Sequence, residues 1–135
     1  MANTLSGTLP DTPQGDLMVA TVAMPKDANP MGDIFGGWIL SQMDISGGIA
    51  ASRRARGRVA TVAVQEMKFH RPVQVGDLVS CYARVTKVGR TSIAIDIQVW
   101  AGAHNEPTQP KMVTEGIFTY VAIDQDRKPR VVPSV

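Results

Sequence analysis

At 135 residues the chain has the length of one domain, enough to bury a core and too short to add a separate cofactor domain. Its formal charge of +2 and pI near 8.9 are mildly basic, and no lysine–arginine run is long enough to follow a nucleic-acid backbone, so no nucleic-acid partner is expected. Aromatic residues make up only 5%, which leaves Val, Ile, Ala and Met to fill the interior.

Residues 1–16 mix Thr, Pro, Gly and Asp with little periodicity and read as a mobile arm, ahead of a single domain over 17–124 and a tail over 125–135. The arm has neither a positive n-region nor an apolar h-region, and no window nears the length of a membrane span; the expectation is a cytoplasmic protein without one. Leu17–Met24 is β-branched and apolar enough for a first strand, and Pro25–Phe35 forms a loop that carries Asn29. From Gly37 the apolar residues recur at helical spacing, which predicts a helix over about Gly37–Arg54.

That helix sets a glycine-rich turn against one acid in apolar company. Along it, Gly37, Ser41, Gly48, Ala51 and Ala55 share the face of Asp44 and are all small, while Trp38, Ile39, Met43, Ile45 and Ile49 form the expected core-facing stripe. Asp44 would then stand in a shallow gutter. Gly47 and Gly48, each costing about 1 kcal/mol relative to alanine, need a packing or functional reason. A tight helix-to-sheet contact with Asp44 at its solvated edge accounts for the gutter without any chemistry. The preceding turn points further: the amides of Gly36, Gly37 and Trp38 are free at a helix start, where the dipole favours developing negative charge. An oxyanion site would thus lie about two turns from a carboxylate.

Arg53, Arg54, Arg56 and Arg58 cluster about Gly57, as suits a helix C-terminus. Val59–Phe69 alternates as a long strand ended by Arg71-Pro72, and Val75-Gly76-Asp77 turns into Leu78–Val88. Gly89-Arg90 turns again into Thr91–Trp100, with Ile93, Ile95, Ile97 and Val99 on a buried face and Ser92, Asp96 and Gln98 on a wet one. Gly102–Pro110 reads as a hairpin loop and Met112–Ile123 as the closing strand. Cys81, alternating with Val79, Ala83 and Val85, reads as a core residue. One helix and about five strands on short turns argue for an α+β domain, an antiparallel sheet curled around one long helix. Its exposed edges would be covered by dimerisation into a continuous sheet.

Asn29-x-x-Gly32, Phe35-Gly36-Gly37 and Met43-Asp44 are followed by Val59–Val64, Phe69-His70-Arg71-Pro72-Val73, Val75-Gly76-Asp77 and Lys87–Ser92. Together, in this order, they resemble the hotdog-fold acyl-CoA thioesterases, in particular their small bacterial YciA-like branch, and the likeness runs from about Met18 to Ile123. The resemblance implies the hotdog fold and hydrolysis of acyl-CoA to a free acid and coenzyme A, with no cofactor beyond the coenzyme A of the substrate. It implies that the amides of Gly36 and Gly37 hold the thioester oxygen and that Asp44 acts as general base or as nucleophile through an anhydride. It implies that Asn29 orients the thioester or the attacking water; without it, Asn29 reads as a turn residue before Pro30. Finally, it implies a homodimer whose sites take Asn29 and Asp44 from different subunits, assembled further into a tetramer or hexamer.

Coenzyme A carries phosphates, so Lys87, Arg90, Thr91 and Ser92 about Gly89 are its candidate contacts, with Arg71, Lys128 and Arg130 behind them. A solvated turn explains the same cluster. Thr61 and Glu66, on the second strand, are supporting candidates. His70 and His104 lack a ligand partner at helical spacing, so no metal site is expected. Two other readings stay open. A non-catalytic acyl-CoA binding module could dispense with Asp44, and a hydratase or dehydratase of the same fold would want a histidine paired with an acid near the helix start, where the sequence places none.

Overall fold

A computed structural model of the protein describes residues 9–106 and 109–135. The elements run β1 (Asp16–Val22), a single 3-10 turn (Pro25–Asp27), α1 (Gly36–Ala55), β2 (Val59–Phe69), β3 (Asp77–Val88), β4 (Ser92–Ala103) and β5 (Lys111–Ala122). All strand pairs are antiparallel, in the order β1-β3-β4-β5-β2. This is the curled sheet around one helix, the hotdog fold, with β1 and β2 as its edges. The expected strand over Leu17–Met24 is shorter in fact, because Met24 opens the 3-10 turn, and β4 runs on past Trp100 to Ala103.

The core lies between α1 and the concave face of the sheet. Ile93, Ile95, Ile97 and Val99 of β4 are fully buried against it, as their alternation predicts, and Cys81 sits among them on β3. Burial pushes the Cys81 thiol up to about 11, against a smaller opposing hydrogen bond from Ser46.

The convex face of β4 departs from the expectation of a wet surface. Gln98 and Trp100 are buried there, because residues 9–14 cross it: the Gln14 amide and the Trp100 indole both donate to Gln98 Oε1, at 3.0 and 3.1 Å. The expected arm over 1–16 is therefore packed in this part, and residues 1–8 lie outside the described residues.

The expected tail is also packed. Asp124 Oδ1 accepts from the amides of Asp126 and Lys128, closing a turn, and Val132 is buried with its amide on the Arg90 carbonyl at 2.8 Å. Pro133 receives the Arg54 guanidinium at 2.6 Å. At the helix C-terminus the left-handed cap position is taken by Arg56 (φ 54°), not by Gly57.

The helix faces the sheet with a stripe that keeps Ile39 and Met43 of the expected one but turns away from Ile45 and Ile49. Ile39, Met43, Ser46, Gly47, Ala50, Ala51 and Ala55 are buried, whereas Ile45 is 50% exposed and Ile49 only half-buried. The small residues are the inner ones because helix and sheet approach closely. A Cβ on Gly47 would stand 2.7 Å from Ile97 Cδ1 and closer still to the Tyr120 hydroxyl. Ala51 and Ala55, placed beside Asp44 by the helical wheel, therefore belong to the core and not to an open gutter.

Candidate active site

Asp44 sits half-buried in the middle of α1, one side of its residue toward the sheet and the other toward solvent. Its Oδ1 accepts two hydroxyls from different strands: Thr61 Oγ1 of β2 at 2.7 Å and the Tyr120 phenol of β5 at 3.0 Å. The phenol is shared with the Asp44 main-chain carbonyl at 2.9 Å. Register explains why these side chains converge: Thr61 pairs with Tyr120, and Tyr120 with Ile93, so one rung across β2, β5 and β4 passes under Asp44. Burial, the Asp44 charge and the hydrogen bond to Asp44 push ionisation of the Tyr120 phenol far up, against a smaller pull from Thr61. The same causes favour the neutral phenol, which can donate its O–H.

With Oδ1 so engaged, Oδ2 has no protein partner among the described residues. Two clefts meet at this carboxylate. One, of about 580 Å³, runs along Asp44, Gly48, Ser52, Arg53, Val59 and Tyr120 toward the helix C-terminus. The other, of about 250 Å³, runs from Asp44 and Thr61 past Ser41, Leu40 and Gly37 toward the helix start. A carboxylate with one oxygen fixed and one open to a cleft can polarise a water or attack an acyl carbon.

At the helix start Phe35 is the N-cap and offers no side-chain cap. The Trp38 amide turns back to the Phe35 carbonyl at 3.1 Å, which takes it out of the expected set of free donors. Gly36 and Gly37 keep unpaired N–H groups among the described residues, and a Cβ at Gly37 would meet nothing within 4 Å. Asn29 is committed as a turn residue through its oxygen: Oδ1 accepts the amides of Met31 at 2.9 Å and Asp33 at 3.1 Å. Its side-chain NH₂ remains free to donate among the described residues.

The remaining expected residues fall in several places. Lys87, Arg90, Thr91 and Ser92 do gather on the β3–β4 turn, where the Gly89 amide closes onto the Ser92 carbonyl at 2.8 Å. Ser92 is one residue along β4 from Ile93, so this turn stands at the sheet end next to the Asp44 rung. Arg71 donates to the Met112 carbonyl at 2.8 Å and Arg130 to the Ile123 carbonyl at 3.0 Å, so both brace the fold. Glu66 occupies a bulge of β2 at φ 53° beside Lys68, Asp96 and Glu115, and lines neither cleft of Asp44.

Sequence reasoning missed Tyr120 and Arg53 as cleft residues, and it missed His70. The chain returns His70 to the helix start, where it lines a small hollow with Gly36 and Asp33 and pairs with Glu115 at 2.7 Å. Among the described residues no group of His, Cys, Asp and Glu could hold a metal ion.

A family model described as the thioesterase superfamily matches residues 31–108, which takes in α1, the Asp44 rung's β2 strand and the β3–β4 turn. The chain belongs to this superfamily. It is 56% identical over 128 residues to the acyl-CoA thioester hydrolase YciA of Salmonella typhimurium, covering 93% of this chain and 96% of that one. Among solved structures it superposes on a hexameric thioesterase, y2039 of Yersinia pestis, with a TM-score of 0.87 at 52% identity, over 91% of this chain and 100% of the other. It also matches HI0827, a hexameric broad-specificity acyl-coenzyme A thioesterase solved as its Asp44Ala mutant, with a TM-score of 0.85 at 48% identity, over 89% of this chain and 88% of that one. Within the superfamily's fold no helix of this chain's described residues is long and apolar enough to cross a membrane.

Proposed function

We propose that the protein is an acyl-CoA thioester hydrolase in which the open Oδ2 of Asp44 is the base or nucleophile. The observation that carries this reading is the half-fixed carboxylate at the meeting of two clefts, in a chain whose near relatives are thioester hydrolases. A thioester needs its carbonyl polarised and water or a nucleophile brought to it. The amides of Gly36 and Gly37 supply the first and Asp44 the second. The exposed cations Lys87 and Arg90 of the β3–β4 turn are the proposed contacts for the coenzyme A phosphates, with Arg53 on the wall of the larger cleft as a further candidate.

Within one chain these two parts are too far apart to act on one carbonyl. Eight helical residues from Gly36 to Asp44 rise about 12 Å, and Asn29 belongs to the loop that precedes the helix start. A second copy resolves this. The β2 edge leaves Val62 and Val64 56% and 43% exposed, between irregularities at Thr61–Ala63 and at Gln65–Lys68. Pairing of β2 with its symmetry mate about a two-fold would lay the two helices side by side in opposite directions. The helix start and Asn29 of one copy then approach Asp44 of the other, and Ile45, exposed in one chain, is covered. The protein is accordingly a homo-oligomer with sites shared between subunits, and its assembly reaches the hexamer described for its solved relatives.

The direct test is release of free thiol from acyl-CoA, followed with a thiol reagent. The buried, high-pKa Cys81 contributes no background to it. Steady release is expected; saturable binding without release would make the protein an acyl-CoA binding module. The His70–Glu115 pair beside Gly36 favours a second reading, hydration of an enoyl-CoA, with that pair as acid and base. Loss of the conjugated enoyl absorbance without thiol release would establish it in place of hydrolysis.

A further inference from the structure

We infer that Tyr120 and Thr61 are positioning residues for catalysis: together they clamp Oδ1 of Asp44, so that Oδ2 alone is presented to the substrate. The inference rests on the reading of Asp44 as the catalytic carboxylate and adds to it the device that orients that group. A free aspartate on a helix surface rotates about its terminal torsion and offers either oxygen. Here Oδ1 accepts Thr61 Oγ1 at 2.7 Å from one side and the Tyr120 hydroxyl at 3.0 Å from below. Two donors from two strands fix the plane of the carboxylate, and the phenol's second contact, to the Asp44 carbonyl at 2.9 Å, ties that plane to the helix backbone.

The helix is built to admit this phenol. Tyr120 is 1% exposed and rises from β5 directly under Gly47, where any Cβ would overlap its hydroxyl. Gly47 thus costs helix stability in order to let a buried hydroxyl reach the preceding turn's carboxylate. Gly48, where a Cβ would stand 3.9 Å from the Tyr120 ring, answers to a different need, an open cleft wall. The ring is held on its other side by stacking on Phe118, with centroids 6.5 Å apart. Because the phenol resists ionisation, it cannot repel the carboxylate it orients.

Tyr120→Phe removes the hydroxyl and keeps the ring. The expected result is a fall in kcat of about tenfold with KM for acyl-CoA within twofold of wild type, the loss of one hydrogen bond to a charged acceptor. In an Asp44→Asn background the same substitution should cause no further fall, since there is no carboxylate left to orient. Thr61→Val, at an exposed position where folding is not at stake, should lower kcat in the same way, and Thr61→Ser should restore most of it. Unchanged kcat in folded Tyr120→Phe, or in Thr61→Val, would overturn the clamp, as would an equal fall with and without the Asp44 carboxylate. Full activity of Asp44→Asn alone would instead sink the underlying reading of Asp44.

Discussion

The middle of α1, at Asp44, and its start, at Gly36, are built on opposite principles. At Asp44 the chain supplies everything: strands β2 and β5 bring two hydroxyls to one carboxylate oxygen, and Gly47 makes room for one of them. At the helix start it supplies donors and nothing to receive them: the amides of Gly36 and Gly37 are unpaired, and Phe35 and Met31 stand exposed around them. A finished half-site and an unfinished one, about 12 Å apart on a single helix, are what support the proposal that the reacting carbonyl is held between copies of the chain.

The most severe way to break the finished half-site is to remove its charge. Asp44→Asn keeps size and both hydrogen bonds in reach, so acyl-CoA should still bind while hydrolysis falls by roughly 100-fold or more. Near-normal turnover would take Asp44 out of the mechanism. The unfinished half-site is tested by Gly37→Pro, which deletes one unpaired N–H at a first-turn position where an added Cβ meets nothing within 4 Å. A loss in kcat of about 10- to 100-fold is expected in protein that keeps its melting temperature. Normal rates would move the oxyanion site elsewhere. The smallest effect should come from the β3–β4 turn, which serves neither half-site directly. Replacing Lys87 and Arg90 by alanine should raise KM for acyl-CoA by roughly fivefold, and much less for a truncated thioester without the nucleotide, with the difference shrinking at high salt. Equal effects on both substrates would assign these residues to the fold.

The comparison of the two half-sites also explains what could be read from the sequence. The helix start was legible because Gly36-Gly37 after a proline-bearing loop leaves backbone donors free whatever the rest of the chain does. The strands were legible because β3, β4 and β5 carry an alternation that only a half-buried sheet produces. The clamp on Asp44 was not. Tyr120 sits in the alternation of β5 like any core aromatic, and only the register Thr61–Tyr120–Ile93 brings its hydroxyl under the helix.

The orientation of α1 was misjudged for a related reason. Apolarity alone does not say which side of a helix meets the sheet, so Ile45 looked like core although it is 50% exposed. Closeness to the sheet is marked by small size instead, which is why Gly47, Ala50 and Ala51 are the inner residues. The C-terminal segment escaped because backbone hydrogen bonds and a single buried Val132 hold it, neither of which leaves a periodic trace. His70 was overlooked since β2 is long enough to carry it from the helix C-terminus back to the helix start, a distance sequence spacing does not show.

The shared site is tested most directly by complementation between two defective chains. Asn29→Asp keeps the oxygen that closes the turn on Met31 and Asp33 but removes the side-chain N–H donor. Asp44→Asn removes the carboxylate. Each variant alone should be nearly inactive. Unfolded together and refolded, half of the two-fold pairs are mixed, and each mixed pair holds one site with both groups intact and one with neither. Thiol release should therefore recover to about a quarter of the wild-type rate. No recovery, with subunit exchange confirmed by mass, would contradict a site built from two chains; an active Asn29→Asp parent would leave Asn29 as a turn residue only.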